Sequence, residues 1–476
     1  KIAIMLPNLL TYPISLFGSY YCGATVININ PMYKTREIED LLINSEAEYI
    51  FVLDKFYSEL KPCIKKSNLK KIIICKINDL LNPFMKLLVP IIMIYKKQSV
   101  SIQNDNNIIY FKDIISNNFG YEDVYVESDD IALLQYTGGT TGKSKAAILT
   151  HRNLLANVQQ VSNWIKPHIK PGEEIIITAL PLFHIFSFTV NCLTFLKIGA
   201  ENVLIANPRD LNSFLKVLKK KKFTVITAVN TLFNLLMTSK KFKNLDFSSF
   251  KFSVGGGMAV LSETAKRWNK ITGTNITQGY GLTETSPVIS INKINDSYNG
   301  SIGLPVQSTS IKIINNNGEI INNNQPGELC VKGPQVMSGY WKYSEEHDDP
   351  FTEDGFFKTG DIASINDQGY LTIVDRKKDM IISSGYNVFP NEIEDYLSSH
   401  PDIHEAGIIG VPDKNRGEYI KAFVVTKDKK LVASDVISFC KKGLTEYKVP
   451  KQVVFIEELP KTNVGKILRR ELRKIN

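Results

Sequence analysis

The chain has 476 residues, 43% of them hydrophobic and 22% charged, with a formal net charge of +9. That much apolar material buries a large core and predicts a globular chain of two or more domains. The charge is spread over ordinary solvated surface. There is no arginine-rich arm or nucleic-acid motif, and the lysine run at 216–223 reads as an exposed helix face, so no nucleic-acid partner is expected.

In chain order, the opening "KIAIMLPNLL" reads as though already inside a strand, and residues preceding Lys1 are expected to belong to the same domain. Short apolar runs at 49–53, 71–75, 174–180, 202–206 and 223–229 predict buried strands. Amphipathic stretches at 153–165 and 261–272 predict helices between them. Alternation of this kind points to parallel sheets covered by helices.

"FMKLLVPIIMIYKK" at 84–97 is interrupted by Lys86 and Pro90, and falls short of the roughly 18–20 apolar residues that cross a bilayer. It reads either as packed core or as an apolar segment with basic ends lying on a membrane surface. From about residue 310 the texture changes to hairpins, and 389–400 starts a helix with Pro390 near its first turn. "VDRKKDM" at 374–380, where a strand ends in consecutive charges and a new apolar run begins, marks a boundary before a small α+β unit.

The six cysteines are far apart, which predicts free thiols in a reducing compartment, the cytoplasm. His400 and His404 have Pro401 between them and no third ligand nearby, so no metal site is expected there.

"LLQYTGGTTGKSKAAILTH" at 133–151 packs glycines, hydroxyls and lysines behind an apolar run, the composition of a phosphate-binding loop. Gly138 and Gly142 enclose one residue too few for a Walker loop, and a flexible linker is the plainer alternative. Other stretches offer complementary parts. "FSVGGGM" at 252–258 ends a strand in glycines against which a flat ligand can lie. "GYGLTETSP" at 279–287 offers the Tyr280 ring, the Thr283 hydroxyl and the Glu284 carboxylate. "KTGD" ends in Asp361, an acid suited to vicinal hydroxyls, and "PKTNVGKILRREL" presents Lys466 after a glycine turn.

With these motifs in this order over nearly its whole length, the chain resembles the adenylate-forming superfamily of acyl-CoA synthetases, luciferases and peptide-synthetase adenylation domains. "PLFHIFSFTVNCL", "DRKKDMIISSGYNVFPNEIED" and "VGKILRREL" are similar, more narrowly, to bacterial long-chain fatty-acid CoA ligases. The resemblance implies an α/β fold: a large N-terminal domain over 1–375, with parallel and mixed sheets flanked by helices and a β-barrel-like subdomain, a hinge at 376–378, and a small mobile α+β domain over 379–476. It implies attack of a long-chain fatty acid on Mg-ATP to give acyl-adenylate and pyrophosphate, then transfer to coenzyme A with release of AMP.

By the same matching, Thr137, Gly138, Gly139, Thr140, Thr141, Gly142 and Lys145 hold the β and γ phosphates. Gly256, Gly257, Tyr280 and Gly281 frame the adenine. Thr283 bonds the α-phosphate and Glu284 holds Mg²⁺, while Asp361 and Arg376 take the ribose hydroxyls. Lys466 stabilises the transition state of adenylation, Lys378 is the hinge, and Gly385 meets coenzyme A. His184 stands near the acyl channel, or is simply a packed histidine at a strand end. Ala146 adds a Cβ where the family often has glycine.

An anionic membrane surface and a second copy of the chain are further expected partners. Alternatives of activity are a ligase for other acids, a fatty-acyl-AMP ligase, a Walker-type NTPase, and a nucleotide- or acyl-binding protein inactive for lack of its N-terminal segment.

Overall fold

Strands form where the apolar runs predict them. In the computed structural model β1 (Ile2–Met5), β2 (Val26–Asn28), β3 (Tyr49–Leu53), β4 (Lys71–Cys75), β5 (Ile108–Tyr110), β6 (Ile131–Thr137) and β7 (Lys145–Thr150) make a seven-stranded sheet, ordered β5-β4-β3-β1-β2-β6-β7. The structure describes all residues except 96–99, 101, 103–104, 118–119, 121, 138–143, 343–348, 384–385, 414–416, 427–429, 463–464, 466 and 476. Every neighbouring pair in this sheet is parallel except β6 and β7, which form an antiparallel hairpin. The runs "YIFVL" and "KIIIC" lack polar alternation because both faces of a central parallel strand are covered. Ile50, Val52, Ile72 and Ile74 lie in the same buried cluster as Ile38, Leu41 and Leu42 of the helix Thr35–Ser45.

The chain divides into two units, Lys1–Thr227 with Leu282–Val288 and Pro334–Asp348, and Ala228–Gly281 with Ile289–Gly333 and Asp349–Asn476. In the first, β8 (Ile175–Thr178) pairs in parallel with β9 (Glu201–Leu204) and with β10 (Val225–Ala228). The helix His151–Ile165 begins directly after β7, and a reciprocal cap explains why it begins there. The Asn153 N–H donates to Thr150 Oγ1 at 3.2 Å, and the Thr150 N–H donates to Asn153 Oδ1 at 2.9 Å.

In the second unit β11 (Phe252–Gly255) pairs in parallel with β12 (Ile276–Gly281), and β13 (Val288–Ile291) pairs antiparallel with β14 (Leu304–Pro305). The helix Ser262–Thr272 between β11 and β12 closes on Gly273 in the left-handed conformation that ends helices. The predicted hairpins form an antiparallel sheet of β15 (Ser310–Ile314), β16 (Gly327–Lys332), β17 (Phe357–Ile365) and β18 (Leu371–Arg376), in that order.

The last hundred residues hold β19 (Ile381–Ser383), β20 (Tyr386–Val388), β21 (Ile403–Asp413), β22 (Gly417–Thr426) and β23 (Gln452–Phe455). Their sheet is ordered β20-β19-β22-β21, with β23 also pairing β22. The helices Pro390–Ser398 and Ala433–Gly443 cover it through Ile393, Leu397, Val436 and Cys440.

The stretch at 84–97 gives a helix, Pro83–Tyr95, with no buried residue: Phe84 is 73% exposed, Leu87 75% and Ile94 65%, so it is not packed core. Ala146 sits within β7 opposite Tyr136, is buried, and has no positive φ, so its Cβ is that of an ordinary strand residue.

Candidate active site

Two clusters of candidate groups form, one in each unit. In the first unit the glycine and threonine stretch lies in sequence between the two strands of the β6–β7 hairpin. Thr137 and Lys145 are its closing pair, and Thr137 Oγ1 lies 3.4 Å from the Lys145 carbonyl. Gly138, Gly139, Thr140, Thr141 and Gly142 lie outside the described residues. A Walker loop joins a strand to a helix. This loop joins two antiparallel strands, which counts against the Walker-type reading.

Beside the exit strand β7 runs the segment 337–341. The Ile148 N–H donates to Gly339 O at 2.9 Å, the Trp341 N–H to Ala146 O at 2.8 Å, and Ala147 faces Tyr340 in an antiparallel bridge. This segment holds Glu284 in two ways. The Met337 N–H donates to the Glu284 carbonyl at 2.8 Å, and the Tyr340 hydroxyl donates to Glu284 Oε1 at 2.7 Å. Lys145 Nζ stands 5.2 Å from the centre of the Tyr340 ring. Thr283 and Glu284 lie together in the one-turn 3-10 helix Thr283–Thr285, both half-buried.

The donor set suits Mg²⁺. Among the described residues no group of three or more His, Cys, Asp or Glu side chains could enclose a metal. Magnesium is commonly held by one or two carboxylates together with substrate phosphates and water. A single half-buried carboxylate is the protein share that such a site needs.

His184 lies on a strap, 180–184, suspended from the first sheet and its helices. Asn8 Nδ2 donates to the carbonyls of Thr178 and Leu180 at 3.1 and 2.9 Å, and its Oδ1 accepts the Leu182 N–H at 2.8 Å. The Tyr12 hydroxyl is 3.0 Å from the Leu182 carbonyl, and Gln135 Nε2 donates to the Phe183 carbonyl at 3.2 Å. The His184 ring itself accepts the Phe186 N–H at Nδ1, 3.3 Å away, where the chain turns helical. This is a local contact with the backbone two residues on.

In the second unit Asp361 and Arg376 are opposite each other on β17 and β18. Arg376 Nε is 2.9 Å from Asp361 Oδ1, and the Tyr280 hydroxyl donates to Oδ2 at 2.6 Å. Asp361 is 3% exposed, so these donors are what allow its charge to stay buried. Each carboxylate oxygen keeps a second lone pair for a ligand hydroxyl. Burial, then the Asp361 charge, push the Tyr280 phenol well above its ordinary pKa, so it remains a donor.

Gly256 is buried where β11 ends, and its N–H reaches the Ala228 carbonyl at 3.4 Å; Gly257 is exposed with φ +77°. Gly281 ends β12 directly after Tyr280. Gly255 serves packing instead, since a Cβ there would lie 2.6 Å from Val260 Cγ2 and 2.8 Å from Ile276 Cγ2.

Lys466 and Gly385 lie outside the described residues. Gly465, beside Lys466, has φ +86°, and a Cβ added there would lie 2.5 Å from Thr231 Oγ1 and 3.5 Å from Val229 Cγ2. Lys378 is exposed as a residue, but desolvation around its ammonium, followed by the Arg376 charge, lowers that group to about 8.

Sequence reasoning missed Tyr340, Asn8 and Arg469. Arg469 Nη2 contacts Glu394 Oε2 at 2.9 Å and Asn391 Oδ1 at 2.8 Å, and Nη1 reaches Asp379 Oδ2 at 3.3 Å and Asp375 Oδ1 at 3.7 Å. It therefore ties together acids on both sides of 376–378. Asn8 and Arg469 stand inside quoted motifs and Tyr340 outside them, but all three have partners remote in sequence.

The class of protein is shown by its relatives: an enzyme that binds AMP. The pattern of the family described as AMP-binding enzyme matches residues 1–341, and that of its C-terminal domain matches 392–466; the chain belongs to this family. It is 48% identical to a long-chain-fatty-acid–CoA ligase of Escherichia coli over 99% of this chain and 85% of that protein. With the protein of that name from Bacillus subtilis it shares 38% identity over the same proportions. The fold superposes on an anthranilate CoA ligase in complex with anthranoyl-AMP with a TM-score of 0.87, at 24% identity, covering 99% of this chain and 86% of that one.

Proposed function

We propose that the chain activates long-chain fatty acids as acyl-adenylates and transfers them to coenzyme A. The observation that carries the nucleotide half is the buried Asp361, braced by Arg376 and Tyr280 with lone pairs left for ribose hydroxyls. The acid specificity rests on the names of the 38–48% identical relatives.

In the first step a carboxylate oxygen of the acid bonds to the α-phosphorus as the bond to pyrophosphate breaks. In the second, the coenzyme A sulfur bonds to the acyl carbon, its proton leaves, and AMP departs with the bonding pair. An anion must approach a polyanion, so the protein's main contribution is electrostatic. Backbone N–H groups of 138–142 with Lys145 hold the outer phosphates, Thr283 the α-phosphate, Glu284 the Mg²⁺, and Gly256, Gly257 and Gly281 line the adenine beside Tyr280. Bound Mg²⁺ supplies charge neutralisation on the phosphates. Lys466 neutralises charge in the first step. The division 1–375, 376–378 and 379–476 then lets the small domain turn about Lys378 and bring Gly385 to coenzyme A. His184 lies at the acyl side.

Pyrophosphate release from Mg-ATP with acetate, octanoate or palmitate, with and without coenzyme A, tests this reading. Palmitate-dependent release, with palmitoyl-CoA formed only when coenzyme A is added, is expected. Release with acetate alone would replace the long-chain reading by the one for other acids, and palmitoyl-AMP persisting despite coenzyme A would favour an acyl-AMP ligase.

We further propose a cytoplasmic enzyme that associates peripherally with anionic membranes. The six thiols are free, and the helix Pro83–Tyr95 exposes Phe84, Leu87, Ile91 and Ile94, carries Lys86, and contains no acidic residue. Salt-sensitive sedimentation with phosphatidylglycerol vesicles, reduced in Leu87→Glu/Ile91→Glu, is expected; equal binding by the variant would remove the helix from this role. A homodimer is the remaining partner proposal, and equilibrium sedimentation decides it.

A further inference from the structure

We infer that Tyr340 is a positioning residue that aims the Glu284 carboxylate and couples it to Lys145 at the exit of the phosphate loop. The inference rests on the reading of Glu284 as the metal carboxylate and goes beyond it. No sequence motif pairs residues 56 apart. The pairing arises because 337–341 runs antiparallel to β7, anchored by backbone bonds at Ser338, Gly339 and Trp341 and by Trp341 Nε1 to the Asn44 carbonyl at 3.0 Å. A phenol on so constrained a backbone has little freedom. Its hydroxyl donates to Oε1 of Glu284 at 2.7 Å, which fixes the carboxylate's rotamer and leaves Oε2 and one lone pair of Oε1 for a cation.

The same ring carries the Lys145 ammonium over it at 5.2 Å. One side chain thus sets the spacing between a phosphate-binding cation and a metal-binding anion. Mg-ATP needs both at once, and metal-free ATP needs only the first. Groups that orient metal-binding carboxylates commonly change metal affinity or activity by 10- to 100-fold when removed. Tyr340 should therefore select the magnesium complex over free nucleotide, rather than bind nucleotide generally.

The test uses Tyr340→Phe, which keeps the ring under Lys145 and removes only the hydroxyl, with Tyr340→Leu and Glu284→Gln alongside. Titration calorimetry with a non-hydrolysable ATP analogue, with and without Mg²⁺, gives the gain in affinity due to the metal; magnesium titration of pyrophosphate formation gives a second readout. Tyr340→Phe is expected to lower the magnesium-dependent gain about tenfold. Its affinity for the metal-free analogue and its melting temperature should match wild type, and Tyr340→Leu should weaken the metal-free analogue as well. A magnesium gain in Tyr340→Phe equal to wild type overturns the positioning role. A gain preserved in Glu284→Gln overturns the metal reading itself, and the inference with it.

Discussion

Asp361 shows how much one side chain can carry. A buried carboxylate is tolerated only with charged or hydrogen-bonding partners. Here both oxygens have one, Arg376 at 2.9 Å and Tyr280 at 2.6 Å. Asp361→Asn keeps the shape and removes the charge from bonds of the kind worth about 1.5–3 kcal/mol, so the KM for ATP should rise roughly 10- to 100-fold in steady-state kinetics. An unchanged KM would place the ribose elsewhere. Lys466→Ala has a different signature. On its proposed role, in which it acts only on the transition state, its removal should cut adenylation about 10²–10³-fold while the calorimetric Kd for ATP hardly moves.

At the scale of elements, the strand ends decide what can approach. Gly255 closes β11 against Val260 and Ile276 so tightly that a Cβ has no room. Gly255→Ala should cost about 1–3 kcal/mol through overpacking, read as a lower melting temperature. Arg469 binds Glu394, Asp379 and Asp375 with only 10% of its side chain exposed. Arg469→Met leaves three acids facing one another in a buried place, and should cost about 3–5 kcal/mol in urea unfolding. The apolar periodicity made most of these elements legible beforehand: β3, β4 and the helices His151–Ile165 and Ser262–Thr272 lie where the runs predict. The ring of acids around Arg469 was not legible, because "LRREL" reads equally well as a solvated helix end.

For the whole molecule, Lys378 links the proposed hinge to pH. Desolvation around its ammonium and the Arg376 charge bring its folded pKa to about 8, below the ordinary lysine value, so the unfolded chain holds this proton more tightly. Stability should therefore rise with pH from about 8 toward the ordinary lysine value, and the penalty should be constant below 8. The difference in urea midpoint between Lys378→Met and wild type, followed from pH 7 to 10, checks this: the variant's advantage should shrink as pH rises. A difference independent of pH would show that Lys378 keeps its ordinary affinity for the proton.

The sequence by itself determined the parts whose chemistry is local. A glycine and hydroxyl loop, a carboxylate shortly after an aromatic residue and an acid directly after a glycine are recognisable wherever they fold, because neighbouring backbone and side chains make them what they are. Only tertiary structure decided how these parts are held. Tyr340 meets Glu284 through the register of 337–341 on β7. Asn8 meets the His184 strap because it lies where the 180–184 segment passes, and Asp361 meets Arg376 across a β17–β18 pair with a register shift nearby. A side chain's partner across the chain depends on strand order and register, and a local stretch of residues encodes neither.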